Sequence, residues 1–322
     1  MKTILTILSA MLCAIASAQG PKPVTFYISP EGNDNFKGTV KRPWKTPEMA
    51  VLKASEYIRA HECDSATLVF AGGEYFLTDS LCIDSLKNVT LTSAEGEEAV
   101  FTGLKKVTGW TRDGDSKILK ADLRACGIED FGEVTSSINR VDLYFNGERQ
   151  TLARWPDSGF ARAGKAVGET DLAETWLHIH GTKEGVLKCP DERIMKWEDE
   201  NDPILFGYWY WDWHNAFCKL GSVDREAGTF TIAEPWDKYG YRDGCRFLGM
   251  NLLCELDTTG EYYIDRSAGI LYWMAPDGFD ENRDEVTLSI FSRPYMITIK
   301  DCENVNVCGM TFKGGRHGAI DI

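Results

Sequence analysis

Leu288 to Ile322 reads LSIFSRPYMITIKDCENVNVCGMTFKGGRHGAIDI. Short β-rich pieces recur in it, Ile297-Thr-Ile299, Val305-Asn-Val307, Met310-Thr-Phe312 and Ala319-Ile-Asp-Ile322, with Gly, Asn or Asp punctuating each gap. The step from Ile297 to Ile320 is 23 residues, about the contour of one turn of a right-handed parallel β-helix. A single rung of such a coil cannot bury its own apolar face. It needs a second rung stacked on it at the strand spacing of about 4.8 Å. With Ile322 as the last residue, the final strand has no following rung and no polar cap. The sequence is therefore expected to be the front part of a longer β-helix, stopped early in its main coil.

Working outward, Lys87-Asn-Val-Thr-Leu91 echoes Glu303-Asn-Val-Asn-Val307: in each an Asn opens a strand whose alternate residues are apolar. This weak repeat suggests one coil interrupted in the middle. The expected organisation is a signal peptide at 1–18, an N-terminal β-helix segment at 19–108, an inserted antiparallel β-sandwich-like domain at 109–290 and a first main rung at 291–322. The fold class is all-β with one capping helix. That helix should start at Thr46 as N-cap with Pro47 in its first turn. Ala50, Ala54, Tyr57 and Ile58 then share one face, and the helix should end near Ala60. The block 109–290 is rich in Trp and Tyr and carries hairpin signals. Asp224-Arg-Glu-Ala-Gly228 and Asp265-Arg-Ser-Ala-Gly269 repeat one turn pattern, and Val141-Asp-Leu-Tyr-Phe-Asn-Gly147 runs a strand into an Asn-Gly turn. Pro190 to Trp197 reads as a helical turn or two.

Met1 to Ala18 combines Lys2, an apolar run and a small-residue cleavage site at Ala16-Ser-Ala18, the pattern of a secretory leader. The run is shorter than the roughly 20 apolar residues a membrane span needs, so an exported, periplasmic or extracellular product is expected. The net charge of −14 disfavours nucleic acid and anionic membranes. It makes a strongly anionic polymer awkward unless a local basic patch exists. Of ten cysteines, Cys13 leaves with the leader; the odd remainder with no CxxC pair argues against a disulfide framework and a zinc site. Cys302 and Cys308 read as small apolar residues stacked inside the coil. No cofactor or metal is expected, and the chain should be a monomer.

The stretches Phe26 to Thr46, Leu143 to Pro156, Gly207 to Trp213, Gly260 to Pro276 and Phe312 to Ile322 resemble secreted β-helix proteins of the pectate-lyase-like superfamily, most nearly family-141 glycoside hydrolases. The resemblance implies a β-helix carrying an inserted β-sandwich and acting on plant-type polysaccharide such as fucosylated pectin or xylan. It also implies catalytic carboxylates on later rungs, beyond Ile322. A polysaccharide lyase and a non-catalytic glycan-binding protein are the alternatives on the same fold.

Six residues stand out as candidate substrate contacts: Trp211, Asp212, Trp213, His214, Arg316 and His317. Trp209, Trp211 and Trp213 are two apart, so on a continuous strand they would share one face and offer a platform for sugar C–H faces. Aromatic neighbours would desolvate Asp212 and raise its pKa. The same run also fits a core strand with Asp212 bonded to a backbone amide. Arg316 and His317 fit either a sugar contact at a corner of the coil or an exposed turn. His178 and His180 alternate like a metal pair but lack a third ligand, which favours a solvated strand face. Asn88-Val-Thr90 matches a glycosylation sequon on a strand expected to be buried.

Overall fold

The computed structural model of the chain describes residues 23–61, 65–114, 116–135, 140–174 and 178–322. The expected leader at 1–18 lies outside the described residues. Among the described residues almost all regular structure is strand, joined by one helix, Pro47–His61, and two short 3-10 segments, Glu192–Asp199 and Leu253–Glu255.

One compact unit comprises Met1–Gly73, Ile83–Ala99 and Lys300–Met310. Its sheet is parallel throughout, in the order Val24–Ile28, Ala66–Phe70, Lys87–Ser93, Glu303–Cys308. Ala66 lies opposite Val89, a step of 23 residues, and Val89 lies opposite Val305. The two segments that echo each other in sequence are thus neighbours in register. Ala66, Leu68 and Phe70 are buried while Thr67 and Val69 are half-exposed, as a period of two requires. A parallel pair needs a crossover, and the first one carries the helix. The Asp34 carboxylate accepts hydrogen bonds from the N–H groups of Lys45 and Thr46 and from the Thr46 hydroxyl, and Thr46 Oγ1 accepts from Met49 N at 3.3 Å. Ala50, Val51 and Ala54 face inward, and Tyr57 meets Phe26 edge-on at 5.4 Å.

The turns before Lys87–Ser93 and Glu303–Cys308 are built alike. Ser85 and Asp301 have φ of 55° and 49°, and Asn88 and Asn304 have φ of 53° and 54°. Asn is among the few side chains that tolerate this left-handed region. Asn304 Nδ2 donates to Asn88 Oδ1 at 2.8 Å, so the corners are stitched as well as superposed. This geometry corrects two expectations. Asn88 is exposed rather than buried, because the strand's inward alternation starts at Val89. Cys308 is exposed and Cys302 half-buried, its thiol directed at the carbonyl of Lys300 at 3.0 Å; neither stacks inside, and both are free thiols.

The second unit comprises Glu74–Cys82, Val100–Ile299 and Thr311–Ile322. Within it Ile297 pairs in parallel with Ile320. The rest is mostly antiparallel. Val286–Ser289 pairs with both Leu143–Phe145 and Leu104–Lys106, so antiparallel pairing begins before Gly109. The two repeated turn patterns close hairpins: Asp224 Oδ1 accepts Ala227 N at 2.8 Å, Asp265 Oδ1 accepts Ser267 N and Ala268 N at 2.9 Å, and Gly228 and Gly269 take φ of 62° and 74°. Among the described residues one core forms around Tyr262, Leu271 and Trp273, a second around Trp197, Trp209, Phe230 and Phe247, and a small third around Ala153, Leu256 and Tyr263. In the second core Gly249, on strand Arg246–Met250, abuts the Trp197 ring; a Cβ there would lie 2.5 Å from a ring carbon. Gly249→Ala is expected to lower the unfolding free energy in urea by about 1–3 kcal/mol through overpacking.

Candidate functional site

Strand Ile204–Tyr208 and strand Ala216–Asp224 are antiparallel neighbours, and the aromatic run falls on the loop between them. Strand alternation therefore stops at Tyr208, and the three tryptophans do not share a face. Trp209 turns inward and is fully buried; its indole N–H donates to Ala216 O at 3.1 Å, and its ring stacks on Phe247 at 6.2 Å. Trp211 is half-buried, and Trp213 is 67% exposed. Their rings lie nearly parallel, 13° apart in plane with centroids 6.3 Å apart. Tyr239 closes the group edge-on to Trp213 at 5.3 Å, with Lys238 Nζ 4.7 Å from its ring centroid. Together these rings make an open aromatic ledge.

The polar residues of the loop support it. His214 lies 4.9 Å from the Tyr239 ring, and its Nε2 is 2.9 Å from the nearly buried Asp237 carboxylate. Asp237 in turn accepts a hydrogen bond from Tyr239 N at 2.9 Å, so one carboxylate holds both aromatic groups in place. Asp212 is exposed, and its Oδ1 accepts from Arg242 Nη2 at 2.7 Å and Arg246 Nη2 at 2.9 Å. The Arg242 hydrogen bond, seconded by Arg246, holds its pKa below the usual carboxylate value, the reverse of the expected desolvated acid. Asp212 is an anchor kept ionised; it cannot store a proton for acid catalysis near neutrality.

Arg316 and His317 go elsewhere. Arg316 is only 8% exposed; it donates from Nη1 to Asp130 Oδ2 at 2.9 Å and from Nε to Ser289 O at 3.3 Å. It fastens its turn to the neighbouring segments and is neither an exposed solubilising residue nor open to a ligand. His317 is exposed, 5.2 Å from the Tyr295 ring. His178 sits exposed in a turn at φ 53°, and His180 Nδ1 lies 3.3 Å from Asp243 Oδ2; among the described residues no cluster of three metal-ligating side chains forms. Tyr239, Asp237, Arg242 and Arg246 were not legible as site residues. The one available signal was Trp236-Asp-Lys-Tyr-Gly-Tyr-Arg242, a second aromatic run mixed with charges in a turn-rich stretch.

Two further places carry chemistry. A cavity of about 400 Å³ is lined by Glu74, Lys106, Tyr144, Glu285, Phe312 and Lys313 among others. Glu261, at the start of strand Glu261–Asp265, is 2% exposed, and burial pushes its pKa up to about 7, with the Asp157 charge adding to the rise.

No family model matches the chain, and no curated protein matches it. Its fold is similar to that of a solved structure titled "Glycoside hydrolase", with a TM-score of 0.67 at 18% identity over 90% of this chain and 50% of that one. The chain thus spans about half the length of that protein. A second structure, "The complex structure of XylC with xylose", aligns at a TM-score of 0.33 and 15% identity over 85% of this chain and 34% of that one.

Trp209→Ala removes a fully buried indole and should cost about 3–5 kcal/mol of stability. Trp213→Ala removes an exposed one and should leave the thermal midpoint nearly unchanged; differential scanning calorimetry of the pair checks this. Glu261 gives a second test. An acid whose pKa rises on folding from 4.5 to about 7 contributes stability that is fully present below about pH 4.5 and lost as pH rises through 7. Glu261→Gln cannot ionise. In urea titrations, the fall in stability between pH 5 and pH 8 should shrink by about 2–3 kcal/mol in this variant.

Proposed function

We propose that this chain is the N-terminal part of an exported carbohydrate-active enzyme, a glycoside hydrolase acting on plant-type polysaccharide such as fucosylated pectin or xylan. In this reading the chain supplies the start of a right-handed parallel β-helix, the inserted antiparallel domain and substrate contacts, but not the complete catalytic machinery. The observation that carries it is the aromatic ledge. A large ring left 67% exposed, as Trp213 is, forgoes about 25 cal/mol per Å² of burial energy. Here the ring also packs beside Trp211 and Tyr239 and next to a bonded His214–Asp237 pair. Exposed, near-parallel rings suit the C–H faces of pyranose sugars, which need apolar area without enclosure.

Support for the coil comes from the two 23-residue steps in parallel register, Ala66 to Val89 and Ile297 to Ile320, and from the paired Asn88 and Asn304 turns. Support for hydrolysis comes from likeness of fold to a protein titled glycoside hydrolase. Hydrolysis needs two carboxyl groups of unlike pKa flanking the scissile bond, and Asp212, clamped by two arginines, does not meet the need for a proton donor.

Isothermal titration with oligosaccharides from xylan and from fucosylated pectin should show binding that Trp213→Ala weakens at least tenfold and Trp213→Phe largely keeps. Reducing-end assays on the 322-residue chain should show no sugar release. Absence of any glycan binding would sink the reading, and release of sugar would overturn the division of labour.

A further inference from the structure

Two adjoining cavities of about 240 and 220 Å³ share Arg149, Gln150 and Thr151 and form one trough in the second unit. Asp157, Thr258 and Glu261 line one end; Arg140, Asp142 and Arg154 line the other. Three arginines on one trough run against a chain of net charge −14. Besides Glu261, two carboxylates accompany them, Asp142 and Asp157. Asp142 is shared by Arg149 at 2.7 Å and Arg140 at 3.8 Å. Asp157 accepts from Thr258 Oγ1 at 3.3 Å and makes no ion pair among the described residues. Arg154 donates to two carbonyls, Pro156 O at 2.8 Å and Gly159 O at 2.7 Å, and among the described residues has no carboxylate at ion-pair distance. Carbonyl oxygens orient a guanidinium without cancelling its charge. With Glu261 protonated, the trough thus carries an excess of one positive charge next to neutral donors and acceptors, Gln150, Thr151 and Thr258, that can meet sugar hydroxyls.

We propose that this trough is a binding site for the carboxylate of an acidic sugar, a uronate within a glycan, with Arg154 and Arg149 as its cationic partners. The choice of a sugar rests on the glycan-binding reading above; the choice of a carboxylate rests on the arginines of the trough itself.

Glu261 makes the site pH-dependent. Its buried carboxyl accepts N–H groups from Thr258 and Asp257 at 3.3 and 3.4 Å, and the charged groups around it are Asp157 and Arg154. While Glu261 is protonated the excess positive charge stands. Once it ionises, above about pH 7, the new negative charge cancels that excess and repels the ligand.

Isothermal titration with trigalacturonate and with its methyl ester tests this on the intact chain. Trigalacturonate should bind at pH 5.5 at least tenfold more tightly than the neutral ester, and at least fivefold more tightly than at pH 8. Glu261→Gln should abolish the difference between the two pH values. Arg154→Gln, and separately Arg149→Gln in case the first variant loosens the Pro156–Gly159 turn, should weaken trigalacturonate at least tenfold. Both should leave neutral xylo-oligosaccharides bound as before, with circular dichroism unchanged. Excess sodium acetate should not displace trigalacturonate. Equal binding of acid and ester, displacement by acetate, or folded arginine variants that bind trigalacturonate normally would each overturn the proposal. Loss of neutral oligosaccharides on Trp213→Ala tests the ledge separately, so failure of one site is distinguishable from failure of the other.

Discussion

The constraint on which the parallel unit depends is register between strands far apart in the chain. Lys87–Ser93 buries Val89 and Leu91 on one face only, and Glu303–Cys308 arrives beside it 216 residues later with Val305 opposite Val89. A slip of one residue would turn every inward side chain outward. The turns guard against that slip. Ser85 with Asp301 and Asn88 with Asn304 place left-handed residues at matching positions, and the Asn–Asn hydrogen bond can form in one register only. The chain can therefore make a long excursion and still return to one defined place. Loop-closure entropy grows only logarithmically with length, so about 200 intervening residues are tolerated once that register is specified.

Most of the excursion, Val100–Ile299, belongs to the second compact unit. Its sheets close by hairpins whose Asp and Gly residues do the same work twice, at 224–228 and 265–269. Its cores mix aliphatic side chains with Trp, Tyr and Phe, and where those rings stay polar-partnered they also fix the surface. Trp209 is the example. Its indole is anchored to Ala216 O inside the second core, and it sets the position of the loop that presents Trp211 and Trp213.

Charge is organised in the same way. Two carboxylates in this unit each hold two arginines, Asp212 with Arg242 and Arg246, Asp142 with Arg140 and Arg149. Each such group leaves local positive charge on an acidic protein. An exposed pair contributes little to stability. Its value is as a shaped field, oriented toward whatever approaches the adjoining surface.

Much of the strand pattern, the 23-residue step, the helix with its Thr46 cap and both hairpin turns were legible in the sequence, because each depends on side chains within a few residues of one another. Ala66, Leu68 and Phe70 announce a half-buried strand by alternation, and Asp-Arg-x-Ala-Gly announces its turn by local hydrogen bonding. The fate of the aromatic run was not legible. Whether Trp209, Trp211 and Trp213 share a face depends on where the strand stops, and that is decided by pairing with Ala216–Asp224 and Arg246–Met250. Likewise the ionisation of Asp212 was decided by Arg242 and Arg246, 30 and 34 residues away, and the burial of Arg316 by Asp130 and Ser289. Local chemistry wrote the elements into the chain; burial and charge pairing, which sum over distant segments, were settled only when the sheets closed.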